Sequence, residues 1–401
     1  MTRKHAAGRK SRGLRRYAPM WSVRLLRRLA LVGLLLYLGA WGYRIYLRKY
    51  IYWLPAYLVW ALTPSEAAHS VHLFFLYADH FEPGERFDFM QRWLDEYPAL
   101  ARRHRDADGR MPQHTWFYPA EQPIARNMDA LRTLAAGGYG EVELHLHHGP
   151  DTFETARQKF REGIAFFQRY GFLRSVDGAT HFAFVHGVWA LDNSKDDPQY
   201  CGVNRELTLL RELGCFADFT FPSLMNESQP AMVNSIYMAT DDDRPKSYNH
   251  GIPLAAGVKP AGDLLIFEGP LVMAGTLDPG HLFALVEDGE IHPPLTPGPD
   301  RVDAWVRSRV HVKGRPGWQF IKVHGHGAQN EYHADEALGA HFEGALSYLE
   351  SHYNDGARYV LHYVTAREAY NLARAAADGK TGDPRQYYDY VIPRYEANVK
   401  R

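Results

Sequence analysis

From His69 onward, short apolar runs alternate with stretches whose apolar residues recur at helical spacing. Runs at 71–77, 114–118, 141–147, 181–185, 216–221, 264–267, 319–323 and 359–363 read as strands. The stretches 86–105, 124–136, 152–170, 204–213, 301–311, 334–352 and 366–376 read as helices. This alternation predicts an α/β fold, a parallel sheet with covering helices. About seven such units predict a distorted or open (β/α) barrel, with the chemistry at the C-terminal ends of its parallel strands. The irregular stretch 223–260 is read as a substrate-side insertion. The Pro/Gly-rich run 291–300 is read as a loop.

The N-terminal pattern is different. Residues 29–43 carry no charge, and the stretch before them is rich in Arg and Lys. With Arg44 snorkelling and 45–47 extending the run, this segment predicts a single transmembrane helix. The basic stretch predicts a cytoplasmic N-terminus, and Tyr43, Tyr46, Tyr50, Tyr52 and Trp53 read as an interfacial belt. A second apolar stretch, 50–63, contains Pro55 and is read as interfacial. The expected organisation is a basic tail over 1–28, a membrane anchor and interfacial segment over 29–63, and a catalytic domain over 69–401 outside the cytoplasm.

Composition narrows the functional classes. Lys plus Arg and Asp plus Glu are 46 each, so no overall field favours nucleic acid. The balance hides an asymmetry, because no acidic residue occurs before Glu66. Cys201 and Cys215 are too few for a disulfide scaffold and read as free thiols.

Four constellations follow predicted strands, so a barrel would bring them to one rim. The first is Asp79-His80-Phe81-Glu82. The second is Glu141-Val142-Glu143-Leu144-His145-Leu146-His147-His148, where period two puts His145 and His147 on one strand face as donors for a zinc-like cation. The third is His324-Gly325-His326-Gly327, whose imidazoles suit proton transfer near neutral pH. The fourth runs from His186 to Ser194; there Trp189 is a sugar-stacking candidate, and Asp192 and Asn193 are candidates for bonding hydroxyls.

The order and layout of these motifs resemble the polysaccharide deacetylase family, the chitin-deacetylase-like carbohydrate esterases. Tyr77-Ala78-Asp79-His80 matches the family's first motif, with Asp79 in the base position and His80 where a second aspartate would ligate metal. Glu141 to His145 fits the first half of the second motif and implies His145 as a ligand. The second histidine is displaced, so His147 or His148 stands in. Phe184–Ser194 matches the third motif in layout but lacks its Arg-Pro pair. Ile321-Lys322-Val323-His324 matches the last motif, which ends in a catalytic histidine.

The resemblance implies a distorted barrel over about 71–376 and a divalent metal ion, expected to be zinc. It further implies a hydrolase that removes acetyl groups from a polysaccharide; with the membrane anchor read above, that polysaccharide is expected to be at the cell surface or exported. Its expected site has Asp79 and His324 as catalytic residues; Asp79, His80, His145, His147 and His148 as ligands; and Trp189, Asp192 and Asn193 on the substrate. Asp79 is alternatively a ligand, with Glu82 or Asp151 as base, and Trp116 and Tyr237 are further stacking candidates. Two rival readings are glycosidic cleavage, using Asp79 or Glu82 with Asp192 or Glu268, and a non-catalytic, membrane-tethered glycan-binding protein.

Overall fold

The computed structural model describes residues 20–66, 68–197, 201–274 and 285–399. Most of the expected basic tail lies outside them. The chain divides into two units at Arg48/Lys49.

The first unit contains helix α1, Met20–Leu47. A helix does cover the expected anchor, but no helix among the described residues is long and apolar enough to cross a membrane. This corrects the expectation of a transmembrane helix. The charge-free run between Arg28 and Arg44 has fifteen residues. It spans only about 22 Å at helical rise, against a hydrocarbon core of about 30 Å.

In the second unit, helix α2 (Leu54–Leu62) takes up most of the apolar stretch expected at the interface. One face of it packs on the folded unit, while Leu58, Val59 and Leu62 on the other are exposed. Trp53 is fully buried, and the Tyr57 hydroxyl accepts from the Met273 amide at 2.9 Å.

The sheet strands are β1 (Val71–His80), β2 (His114–Pro119), β3 (Gly140–Leu146), β4 (Phe182–His186), β5 (Cys215–Asp218), β6 (Ser235–Ala239), β7 (Gly251–Pro253) and β8 (Leu264–Glu268). They continue with β9 (Val272–Ala274), β10 (Leu285–Glu287), β11 (Glu290–Ile291), β12 (Val310–His311), β13 (Trp318–Gly325) and β14 (Tyr359–Tyr363). The run β13-β1-β2-β3-β4-β5-β8 is parallel throughout, and β14 and β11 add parallel pairings to β1 and β13. The stretch read as irregular contains the antiparallel pair β6 and β7, which extends the sheet beyond β8.

The sheet curls without a hydrogen-bonded ladder between β8 and β13. Phe267 of β8 packs on Phe320 of β13 at 5.4 Å, and Lys322 of β13 donates to the carbonyls of Phe219 and Phe221.

The helices follow their strands: α3 (Phe87–Ala101), α4 (Ala125–Ala136), α5 (Phe153–Gln168), α6 (Glu206–Glu212), α7 (Pro299–Arg307), α8 (Glu331–Leu338), α9 (Ala340–His352) and α10 (Ala366–Ala377). The helix expected over 334–352 is two, broken at Gly339.

Strand alternation sorts side chains between two faces. Phe74, Leu76 and Ala78 of β1 join Ala183, Val185, Phe267 and Phe320 in an inner cluster, with α10 packed against it. Leu73, Phe75 and Tyr77 of β1, with Ile321 and Val323 of β13, pack outward with residues of α7 and α9. Val142, Leu144 and Leu146 of β3 pack outward with residues of α3 to α6.

The inner face also holds charge. Burial pushes the Asp218 and Glu268 carboxyls up to about 7 and the Lys322 ammonium down to about 8. Folded Glu268 therefore keeps its proton to about pH 7, while the unfolded chain releases it near the ordinary glutamate value. Stability contributed by Glu268 is fully present below that value and is lost as pH rises through about 7. Glu268→Gln is expected to shrink the decline in unfolding free energy between pH 5 and 7, read from urea melts. A decline as steep as in the unaltered protein would rule out this role for Glu268.

Candidate metal centre

The same alternation builds the site. On β1, His80 continues the inner column of Phe74, Leu76 and Ala78, and Asp79 continues the outer one. On β3, His145 faces inward because Leu144 and Leu146 face out. On β13, Lys322 and His324 continue from Phe320, and His326 follows the strand end. Inner-face histidines from three parallel strands thus meet at one rim.

Glu82, just past β1, is the common member of two groups of close donor atoms: His80, Glu82 and His326, and Glu82, His145 and His147. His145 Nε2 lies 3.0 Å from Glu82 Oε1, and His147 Nε2 lies 3.6 Å from the same oxygen. The His80 ring sits 4.8 Å from His326 and 5.3 Å from His145. A third group, Asp288, Glu290 and His324, adjoins them because β11 pairs with β13 and sets Glu290 beside His324.

Above these groups lies a pocket of about 370 Å³ lined by His80, Glu82, His147, Trp189, Glu290, His292, His326 and His333, among others. A larger hollow of about 540 Å³, beside α9, holds no such cluster.

The electrostatics suit cation binding. Burial holds His80 well below the usual histidine range, with His326 and His145 adding to the effect. Burial also lowers His326 and takes His324 down to about 3. Burial alone would raise Glu82, but the His145 hydrogen bond and nearby imidazoles outweigh it, and the carboxyl sits at about 2. Burial thus favours neutral imidazoles at His80 and His326, while His147, which burial alone would lower, is raised by Glu121, 2.6 Å from its Nδ1; a bound cation would need each ligating imidazole neutral. His145 Nδ1 donates to the Val185 carbonyl at 2.8 Å, which orients the ring with its Nε2 toward Glu82. The buried Nδ1 atoms of His324 and His326 have no hydrogen-bond partner.

The remaining expected site residues lie elsewhere. Asp79 accepts from His114 Nε2 at 2.9 Å and from the Gly327 amide at 2.7 Å, and does not line the pocket. It thereby fixes the turn after His326. A side chain at Gly327 would begin 2.5 Å from Asp79 Oδ2 and 2.7 Å from the Trp93 ring. His148 joins His186 and Glu206 in a separate buried group. Asp151 accepts from Lys159 and from His148 Nδ1. Asp192 accepts from the Glu206 and Ser247 amides, and Asn193 donates to Asn204. Trp116 is fully buried outside the rim, against His114. Tyr237 is buried, donating to the Tyr248 carbonyl.

Of the residues expected on substrate, Trp189 lines the pocket. Val188, Trp189, Asp192 and Asn193 all have φ between 53° and 56°, a conformation costly for non-glycine residues and often held at functional sites. Sequence reasoning assigned no role to Glu290, His292 and His333. His292 sits in the stretch read as a loop and Glu290 just before it, while His333, in the first turn of α8, lies just before the helix expected from 334.

No family model matches the chain, and no curated protein matches it. Two solved structures align with it. One is described as a "putative polysaccharide deacetylase" from Mycobacterium smegmatis, at 12% identity over 80% of this chain and 96% of that one, with a TM-score of 0.41. The other is the Xyl-CE4 domain of a multidomain xylanase from the hindgut metagenome of Trinervitermes trinervoides, at 9% identity over 75% of this chain and 90% of that one, with a TM-score of 0.35. At such distance the functional reading rests on the side chains themselves.

Proposed function

We propose that the chain is a metal-dependent hydrolase that removes acetyl groups from a polysaccharide. The observation that carries this reading is the convergence of His80, Glu82, His145, His147 and His326 from three strand ends beneath a pocket walled by Trp189. These residues would hold the ion; two or three imidazoles with one carboxylate form a donor set that suits zinc. Bound there, a divalent ion supplies Lewis-acid polarisation of the acetyl carbonyl.

The chain's own groups do the rest. Trp189 offers a face to a sugar ring. His292 and His333 line the pocket with their rings 5.9 Å apart, and they are pushed in opposite directions. Glu290, 3.1 Å from His292 Nε2, raises His292, whose Nδ1 meets the Pro293 carbonyl. Both His292 nitrogens therefore face acceptors, as an imidazolium requires. Burial lowers His333, and its Nδ1 has no partner. His333 is placed to take a proton from attacking water, and His292 to protonate the departing amine or alkoxide. Asp79 and His324 act by positioning, since neither lines the pocket.

Glycosidic cleavage fits less well. It needs one carboxyl that keeps its proton as general acid. Glu82 and Glu290 line the pocket, yet their histidine partners hold both below the usual range.

Location at a membrane is part of the proposal. Its support is the basic N-terminal sequence and the exposed Leu26, Leu29, Leu35 and Leu36 of α1. The functional test is acetate release from acetylated oligosaccharides by the full chain, before and after chelation and after zinc is restored. Activity lost on chelation and regained with zinc is expected. Acetate release unaffected by complete metal removal would reject the reading.

A further inference from the structure

A second group of donors lies on the other face of the sheet. On β4, Phe182 and Phe184 pack outward, and His186 continues their column. His148, from the turn after β3, and Glu206, the first residue of α6, meet it there. All three side chains are fully buried. His148 Nε2 lies 2.7 Å from Glu206 Oε1, His186 Nε2 lies 3.3 Å from the same oxygen, and the two Nε2 atoms are 3.1 Å apart.

The other ring nitrogens are committed. His186 Nδ1 faces the Gly187 carbonyl at 2.7 Å. A carbonyl only accepts, so that nitrogen carries the hydrogen and a neutral His186 has a bare lone pair on Nε2. His148 Nδ1 donates to Asp151 Oδ2 at 3.1 Å, and Lys159 in turn holds Asp151 at 2.8 Å. Each imidazole is thus oriented through its back nitrogen, as metal-ligating histidines are.

If His148 Nε2 carries no hydrogen, three buried electron-rich atoms face one another. One proton on His148 Nε2 would serve Glu206 well but leave the His186 lone pair against a carboxylate oxygen. A shared cation satisfies all three. Ligand atoms about 2.0–2.2 Å from one tetrahedral ion lie roughly 3.3 Å apart; the 3.3 and 3.1 Å contacts are near that spacing, and the 2.7 Å contact between His148 and Glu206 would open on binding. The chain passes close by: a side chain at Gly202 would begin 2.3 Å from Glu206 Oε2 and 3.0 Å from His186 Nε2.

We propose that His148, His186 and Glu206 form a second, structural site for a divalent cation of the zinc class, separate from the Glu82 centre. Its role follows from what Glu206 also touches. Glu206 Oε2 accepts from the Asp192 amide at 2.6 Å. The ion would pin the turn after β3, the end of β4 and the start of α6 together, and so hold the segment that carries Trp189.

The test is zinc content of the full chain after dialysis against zinc and gel filtration, with Co²⁺ absorption as a second readout. Glu82→Ala disables the pocket centre and leaves this site intact. It is expected to retain one equivalent of zinc and to show a Co²⁺ d–d band. Adding His186→Ala to it is expected to remove both. If the double variant fails to fold, Glu206→Gln on the Glu82→Ala background serves in its place. A Glu82→Ala protein that folds but binds no zinc and gives no Co²⁺ band overturns the proposal, leaving the three side chains to share a proton. An equivalent that survives His186→Ala overturns it equally. Neither result bears on the pocket centre, which is judged by acetate release from the unaltered chain.

Discussion

Replacing Glu82 with glutamine is expected to cut acetate release by about 10³-fold, the loss of several kcal/mol of transition-state stabilisation. The cause is charge and geometry together. Glu82 is the one side chain shared by both donor groups at the rim, and its Oε1 lies within reach of His145 and His147. Glutamine keeps the shape but removes the negative charge that makes four imidazoles into a cation site. The metal associated with this centre should be lost in parallel, as measured by elemental analysis and by the zinc concentration needed to restore turnover. Asp79→Asn provides the contrast. Asp79 holds the His326 turn and His114 but does not face the pocket, so a smaller loss of about 10- to 100-fold is expected, as for groups that orient ligands. If Asp79→Asn proved as damaging as Glu82→Gln while the metal stayed bound, Asp79 would be a base and the assignment of roles above would be wrong.

The contrast between Asp79 and Glu82 shows what was legible in the sequence. The parallel α/β order and most helix positions followed from apolar spacing, because the core strands are buried on both faces and most covering helices on one; α10, buried at every position but Arg374, is the exception. The rim was legible too, since all four chemical motifs follow strands. What decides the roles is which face each residue occupies. Period two puts His145 and His147 on one face of the run at 141–147, and the structure keeps His145 on the inner face of β3 while His147 lies past its end. Applied to β1, it would have put His80 inward with Ala78, and Asp79 outward with Tyr77. His186 is outward by the same count from Phe182 and Phe184. Glu82, His147 and His148 lie beyond strand ends, where the period lapses and turn geometry decides direction. Glu290 and His292 could not be placed from local pattern. They reach the pocket through the two-residue strand β11, which exists only because β13 offers it an edge. The N-terminal expectation failed on length, since a helix formed where the pattern required but its charge-free part was too short.

Glu141 and Glu143 share a strand with His145, yet neither belongs to the metal centre, and Glu141 carries the largest expected stability effect. Glu141 sits near the opposite end of β3 from His145. It accepts from Arg367 Nε and Nη2 and from the Thr365 hydroxyl that caps α10. Arg367 is 1% exposed, and its Nη1 also donates to Asp389 and to the carbonyls of Tyr388 and Ile392. The pair therefore ties β3, α10 and the C-terminal segment together beneath the barrel. Arg367→Met is expected to destabilise the fold by about 3–5 kcal/mol, because it leaves the Glu141 carboxylate buried without its counterion. Urea unfolding of the full chain, followed by tryptophan fluorescence, measures this. Adding Glu141→Leu to Arg367→Met should recover much of the loss, since an apolar pair needs no desolvation of charge. A single variant as stable as the unaltered protein would show that water or a local shift relieves Glu141 and that the strap is not held by charge. Turnover per folded molecule should change little, because Glu141 and His145 lie toward opposite ends of one strand.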